Sequence, residues 1–169
     1  MVGGPAVIGI AGWKNSGKTT LTERLVSELV ARGRTVSTIK HAHHAADVDH
    51  EGTDSHRHRQ AGAGEVLLVT PRRWALMHEL RGDDEPTLEQ MIARLSPCDI
   101  VLVEGYKSGG HAKIEVRRRE ARDIAPFPAS ANVIAIATDH LVDEAAVPVF
   151  DLDAIPSIAD FIERAAGLA

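Results

Sequence analysis

The residues best equipped for chemistry form one short run, Gly12-Trp13-Lys14-Asn15-Ser16-Gly17-Lys18-Thr19, which fits the pattern G-x-x-x-x-G-K-[ST]. Its glycines admit backbone angles that turn successive N–H groups inward. Those donors, with the N-terminus of a following helix, make a cradle for phosphate. Lys18 is placed to neutralise the β- and γ-phosphates of a nucleotide, and the Thr19 hydroxyl to hold Mg²⁺. The flanks meet the pattern's requirement: an apolar run at 6–11 leads in, and Leu21, Leu25, Val26, Leu29 and Val30 share one helical face behind it. Gly12, Lys14, Asn15, Ser16, Gly17, Lys18, Thr19 and Thr20 are the expected nucleotide contacts.

Magnesium needs a carboxylate as well. Asp99-Ile100-Val101-Leu102-Val103-Glu104 carries an acid to the end of a hydrophobic strand, where ligands of open α/β sheets gather. Glu104 is therefore expected to serve Mg²⁺ directly or through water, although Asp is the commoner residue there. Asp139 ends another apolar run, 133–138. Its carboxylate matches the N1–H and exocyclic amine of guanine, a donor pair that adenine lacks. Of the usual Asn-Lys-x-Asp only Thr138-Asp139 is present, so guanine is the preference and a simple helix cap the alternative.

Six of the nine histidines lie between His41 and His58. Imidazole is a common metal ligand, yet His41, His43 and His44 lack the i, i+4 spacing of a helical site. A solvated polar loop ranks above a dedicated metal-transfer site. The loop follows the second strand, so Asp47, Asp49 and Asp54 are positioned to approach the phosphates or their Mg²⁺. Asp49 joins Lys18 and Glu104 as a catalytic candidate, and Thr19 and Glu104 as a metal-ligand candidate. Two basic clusters, Arg72-Arg73 beside Trp74 and Arg117-Arg118-Arg119 with Arg122, read singly as solvated surface. Together they hint at a second anionic ligand.

Positioning these groups falls to alternating β-rich and amphipathic runs. Strands are expected at 6–11, 35–40, 65–70, 74–79, 100–104, 113–118, 133–138 and 147–150. Helices are expected at 18–32, 53–63, from 88 and at 157–166. The pattern predicts an α/β fold of three layers, with a mostly parallel sheet and an additional β-hairpin across 65–79. At 169 residues a single nucleotide-binding domain, 1–169, is the default. The net charge of −5 argues against a nucleic-acid binder. One cysteine, Cys98, excludes an internal disulfide framework. The apolar runs are too short to span a membrane, and no basic leader precedes the first one. A cytoplasmic location is expected.

Further motifs stand in order behind the phosphate loop: Ile39-Lys40-His41-Ala42-His43-His44, Asp47-Val48-Asp49, Gly52-Thr53-Asp54-Ser55, Ala61-Gly62-Ala63, Arg73-Trp74-Ala75-Leu76-Met77 and Val103-Glu104-Gly105-Tyr106-Lys107. With them the chain resembles the molybdopterin-guanine dinucleotide biosynthesis protein B family over nearly its whole length. The resemblance implies a P-loop NTPase fold and GTP with Mg²⁺ as cofactors. It implies a homodimer linked through strand exchange and weak GTP hydrolysis at most. Its implied partner is the guanylyltransferase that forms molybdopterin guanine dinucleotide, with molybdopterin as a further ligand. By position it assigns phosphate to 12–19, Mg²⁺ to Thr19 and Glu104, and the loop bearing Asp49 and Asp54 to the nucleotide's vicinity. Two other readings compete: a P-loop small-molecule kinase with an arginine lid at 117–122, and a metal-insertion GTPase carrying nickel or zinc on the 41–58 histidines.

Overall fold

The computed structural model describes residues 4–42, 48–106, 109–121, 127–128, 131–143 and 145–169. In chain order its elements are β1 (Ala6–Ala11), α1 (Lys18–Ala31), β2 (Val36–Lys40), α2 (Asp54–Gln60), β3 (Glu65–Val69), β4 (Trp74–His78), α3 (Leu88–Ile92), β5 (Ile100–Glu104), β6 (Ala112–Arg117), β7 (Val133–Thr138), β8 (Val149–Asp151) and α4 (Ile155–Ala165). The chain divides into two compact units. One comprises Met1–His41 with Leu88–Ala169, the other Ala42–Thr87.

The first unit is a six-stranded sheet in the order β2-β5-β1-β6-β7-β8, and every pairing in it is parallel. Parallel strands covered on both faces read as near-continuous apolar runs. β5 obeys this: Ile100, Val101, Leu102 and Val103 are fully buried. Alternation sends Ile100 and Leu102 into one cluster, where they meet Ile8, Ile10, Leu21, Leu25 and Leu29 of β1 and α1 and Ile158 and Ile162 of α4. Val101 and Val103 face the other way and pack with Leu88, Ile92 and Leu95 around α3. Helices on either face of one sheet make the expected three layers.

The final strand and helix differ slightly from expectation. β8 starts at Val149 rather than Val147, because Pro148 has no N–H to give the ladder. Only its carbonyl takes part, accepting from Ile136 N at 2.9 Å. α4 begins two residues early, at Ile155, with Pro156 in its first turn, where a missing N–H costs nothing.

β6 holds a feature that periodicity did not show. Lys113, Glu115 and Arg117 alternate with the apolar cluster residues Ile114 and Val116, so they point to the opposite face. Lys113 is nevertheless fully buried. Its ammonium donates to the carbonyls of Gly109, His111 (3.0 Å) and Ala131 (2.9 Å). Burial holds its pKa below the ordinary lysine value. Glu115, 2% exposed, accepts from Arg117 Nη2 at 2.8 Å and from Phe127 N at 3.2 Å. Hydrogen bonds of this kind are what permit charge to be buried at all.

In the second unit β3 and β4 form an antiparallel hairpin, with Val66 opposite Met77. Those two residues are buried, whereas Leu67, Leu68, Val69, Trp74 and Leu76 are exposed. Arg59 at the end of α2 binds Glu79 Oε1 at 2.6 Å, and Arg81 Nη2 donates to the Arg59 and Ala63 carbonyls at 3.0 Å each. These charged ties fasten the helix to the hairpin. Among the described residues no helix is long and apolar enough to cross a membrane.

A charged knot joins α4 to the turn between α1 and β2. Glu163 accepts from Arg34 Nε at 2.6 Å and from Arg32 Nη1 at 2.8 Å. Arg32 also binds Asp160 at 2.5 Å and Glu28 at 2.8 Å. The bonds from Arg32 and then Arg34 hold the Glu163 carboxyl below its ordinary value of 4.5. A depressed carboxyl stabilises the fold above its unfolded pKa, and that stability is lost as pH falls through the folded value. Glu163→Gln is expected to lower the melting temperature at pH 7 by roughly 2–8 °C, about 1–2 kcal/mol. It should also flatten the melting curve's acid dependence below pH ~4.5; a variant as acid-sensitive as the parent in thermal melts from pH 7 to 3 would remove Glu163 from this role.

Candidate nucleotide site

The site begins where β1 runs out. A Cβ on Gly12 would lie 2.4 Å from Ser16 Oγ and 2.7 Å from the Val116 carbonyl, so only glycine lets the chain pass between its own loop and β6. Asn15 and Gly17 both take positive φ, 64° and 89°. Ser16 N bonds the Trp13 carbonyl at 3.2 Å, which closes the loop on itself. α1 starts directly after Gly17, with Leu21 N on the Gly17 carbonyl at 3.0 Å. Unspent N–H groups of a first helical turn carry partial positive charge suited to phosphate. Lys18 Nζ lies across this loop and donates to the Trp13 carbonyl at 2.7 Å. Ser16 is 1% exposed, and its Oγ finds no hydrogen-bond partner among the described residues.

Thr19 and Glu104 lie side by side. Thr19 Oγ1 donates to Glu104 Oε1 at 3.0 Å and Oε2 at 3.2 Å. The register explains this: Ile10 stands opposite Glu104, so both strands end at the phosphate loop. On its other side Glu104 has Lys40 of β2, Nζ to Oε1 3.5 Å. The following turn is locked by Gly105, at φ 104°, where a Cβ would fall 2.7 Å from His41 Cβ. His41 N in turn bonds the Glu104 carbonyl at 2.8 Å, and its ring stacks on Tyr106 at 4.5 Å between centroids. A hydroxyl and a carboxylate side by side are hard oxygen donors of the type Mg²⁺ takes together with phosphate oxygens.

Asp139 stands at the end of β7, two strands from the loop. Its Oδ1 accepts from Arg119 N at 2.8 Å and lies 3.0 Å from His140 Nδ1. The His140 hydrogen bond, more than the one from Arg119 N, holds this carboxyl below the ordinary value against the opposing effect of burial. Oδ2 faces Arg118 Nε at 3.9 Å. Asp139, Arg118, Gly17, Thr20, Leu21, Leu152 and their neighbours line a cleft of about 120 Å³ beside the phosphate loop. The basic cluster at 117–122 is thus divided. Arg117 turns into the protein toward Glu115, Arg118 into the cleft, and Arg119 contributes its backbone; Arg122 lies outside the described residues.

Asp49 belongs to the second unit and is a hub there. Its Oδ1 accepts from Thr53 Oγ1 and Ser55 Oγ, each at 2.9 Å, and from His50 N at 3.1 Å. Arg59 Nη1 reaches Oδ2 at 3.5 Å. Burial raises its pKa, but the bonds from Thr53, Ser55 and His50 outweigh that and leave it below the ordinary value. The same Thr53 caps α2 by accepting from His56 N at 3.3 Å. Asp54 is largely exposed. His43, His44 and Asp47 lie outside the described residues. Among the described residues no three His, Cys, Asp or Glu side chains gather as a metal site.

Two features escaped the sequence reading. Trp13 stacks on Phe127 at 5.4 Å and 9° between planes, pinning the outer edge of the phosphate loop to a distant segment. Lys40 supplies Glu104 with a cation from the neighbouring strand. Only the tertiary structure reveals either contact, and local spacing carries no trace of it.

Known proteins are similar to this chain in sequence and in fold. The family model for molybdopterin guanine dinucleotide synthesis protein B matches residues 7–139. A molybdopterin-guanine dinucleotide biosynthesis adapter protein of Haemophilus influenzae is 42% identical over 160 residues, covering 94% of this chain and 88% of its own. Its Escherichia coli counterpart is 37% identical, covering 92% and 90%. The crystal structure of a MobB protein homolog from Bacillus stearothermophilus superposes with a TM-score of 0.69 at 28% identity, over 94% of this chain and 98% of that one. By the span of the family match and the identity to these relatives, the chain belongs to the molybdopterin guanine dinucleotide synthesis protein B family.

Proposed function

We propose that this chain is a GTP-binding adaptor of molybdenum cofactor biosynthesis, which assists the guanylyltransferase that forms molybdopterin guanine dinucleotide. One observation carries the nucleotide part: the Thr19 hydroxyl and Glu104 carboxylate lie 3.0 Å apart at the foot of a glycine-cornered loop bearing Lys18. The adaptor part is supported by the names of the relatives, two of which match nearly the full chain. The protein is read as cytoplasmic.

In this reading the backbone N–H groups of 12–19 and Lys18 bind the phosphates, and Lys18 exchanges its bond to the Trp13 carbonyl for a phosphate oxygen. Thr19 and Glu104 hold Mg²⁺, which when bound offsets the charge on the β- and γ-phosphates. Glu104 is already engaged by Thr19 and Lys40, so it is a metal holder rather than a free base. Hydrolysis is accordingly slow, as suits an adaptor. Asp139 presents Oδ2 to the guanine edge, Oδ1 being taken by Arg119 N and His140. Asp49, whose oxygens serve Thr53, Ser55, His50 and Arg59, organises its own loop rather than ligating metal.

The exposed leucines and Trp74 of the hairpin support a homodimer. A two-stranded hairpin is marginal by itself, and a patch made of Leu67, Val69, Trp74 and Leu76, which the register puts on one face, is of the kind that another protein surface covers. A second copy of this chain fills that role. Molybdopterin and the transferase are the further ligands of the assembled pair.

Calorimetric titration should show GTP bound more tightly than ATP, with the preference strengthened by Mg²⁺. Lys18→Ala is expected to weaken GTP about 100-fold, about 2.7 kcal/mol, without changing the melting temperature; retained affinity would sink the phosphate-loop assignment. Glu104→Gln should bind GTP alike with and without Mg²⁺. Leu67→Asp together with Leu76→Asp should shift sedimentation from dimer to monomer at micromolar concentration, and a variant that remains dimeric would place the interface elsewhere.

A further inference from the structure

The phosphate loop and the cleft beside Asp139 are bridged by one side chain that neither assignment uses. Arg118 leaves the end of β6 and lays its guanidinium along Gly17. A methyl group built on Gly17 would stand 3.4 Å from Arg118 Cζ, 3.5 Å from Nη2 and 3.6 Å from Nε. The same guanidinium lines the cleft with Thr20, Leu21, Asp139 and Leu152. Its partner there, Asp139 Oδ2, is 3.9 Å away, too far for a hydrogen bond, and Arg118 remains 42% exposed. A planar cation is thus held at the cleft wall without being tied down.

We propose that Arg118 carries the purine ring of the bound nucleotide, its flat guanidinium stacking on the base while Asp139 Oδ2 meets the base edge. The inference rests on the phosphate-loop reading and adds to it the residue that distinguishes a nucleotide from a bare polyphosphate. Three observations favour the base over the phosphates. Phosphate already has Lys18 and the N–H groups of the loop. Arg118 Nε stands 3.9 Å from Oδ2 of Asp139, the carboxylate that the proposed reading assigns to the base edge. Leu21 and Leu152 are the only leucines in a cleft otherwise lined by polar groups, among them Thr20, Arg24, Asp151 and Asp153, which leaves the Arg118 plane as the surface on which an aromatic ring can lie. Arginine suits the task because its plane stacks on aromatic faces, and lysine has no such plane. Entry of the base would also separate Arg118 from Asp139, at little cost given the length of that contact.

The test compares Mg²⁺-GTP with inorganic triphosphate on the full chain by calorimetry, for the parent, Arg118→Ala and Arg118→Lys. Melting temperatures serve as the check on folding. Arg118→Ala should weaken GTP roughly 10-fold and leave triphosphate unchanged. Arg118→Lys should lose as much as Arg118→Ala, because the charge stays and the plane goes. Equal weakening of GTP and triphosphate, or rescue by lysine, would make Arg118 a phosphate contact and overturn the proposal. Unchanged GTP affinity in both variants would overturn it as well. A parent that binds neither GTP nor triphosphate would instead defeat the phosphate-loop reading itself, and the stacking proposal with it.

Discussion

Ile10 of β1 stands opposite Glu104 of β5, and Gly9 opposite Val103, in a parallel register on which the candidate site depends. The register is held by burial on both faces, since Ile100 through Val103 are wholly removed from solvent. A slip of one residue would send each of these side chains to the wrong layer and carry Glu104 with it. With the strands in register, their ends coincide. The loop after β1 then delivers Thr19 to the carboxylate at the end of β5. β6 pairs on the other flank of β1, which brings the Val116 carbonyl so close to Gly12 that a side chain there has no room.

From this frame follows a division between rigid and adjustable parts. Glu104 is fastened by Thr19, Lys40 and the Gly105–His41 approach, so a metal would meet a preset carboxylate. Arg118 and Lys18 are differently placed. One is loosely opposed to Asp139, and the other rests on a loop carbonyl that a phosphate oxygen can replace. Strand ends supply the fixed groups, and long cationic side chains supply the ones that respond to a ligand. The second unit follows the same economy on a smaller scale, with Asp49 gathering Thr53, Ser55 and Arg59 into one hub at the start of α2.

Much of this was readable from residue order. The phosphate loop, the sheet's α/β character, the hairpin and the acid at the end of β5 each leave a local mark: a glycine spacing, an apolar run, a change of period. Those marks survive folding because they arise from backbone geometry and from burial, which act over a few residues at a time. Other parts leave none. The sequence presents Lys113, Glu115 and Arg117 as ordinary polar positions of a half-exposed strand, yet Lys113 and Glu115 are buried, bonded to Ala131 and Phe127 beyond the strand, and Arg117 is half-buried against Glu115. It presents 117–122 as one basic cluster, whereas strand alternation and the turn after β6 send three neighbouring arginines to three different surroundings. Asp49 is an acid whose hydrogen-bond partners, Thr53, Ser55 and Arg59, come together only when the start of α2 folds onto it. Residue type and spacing by themselves determined which elements form and where along the chain the groups capable of chemistry stand. Only the tertiary structure decided which charged groups meet, because charge pairing acts across strands whose adjacency is set by the sheet order and not by distance along the chain.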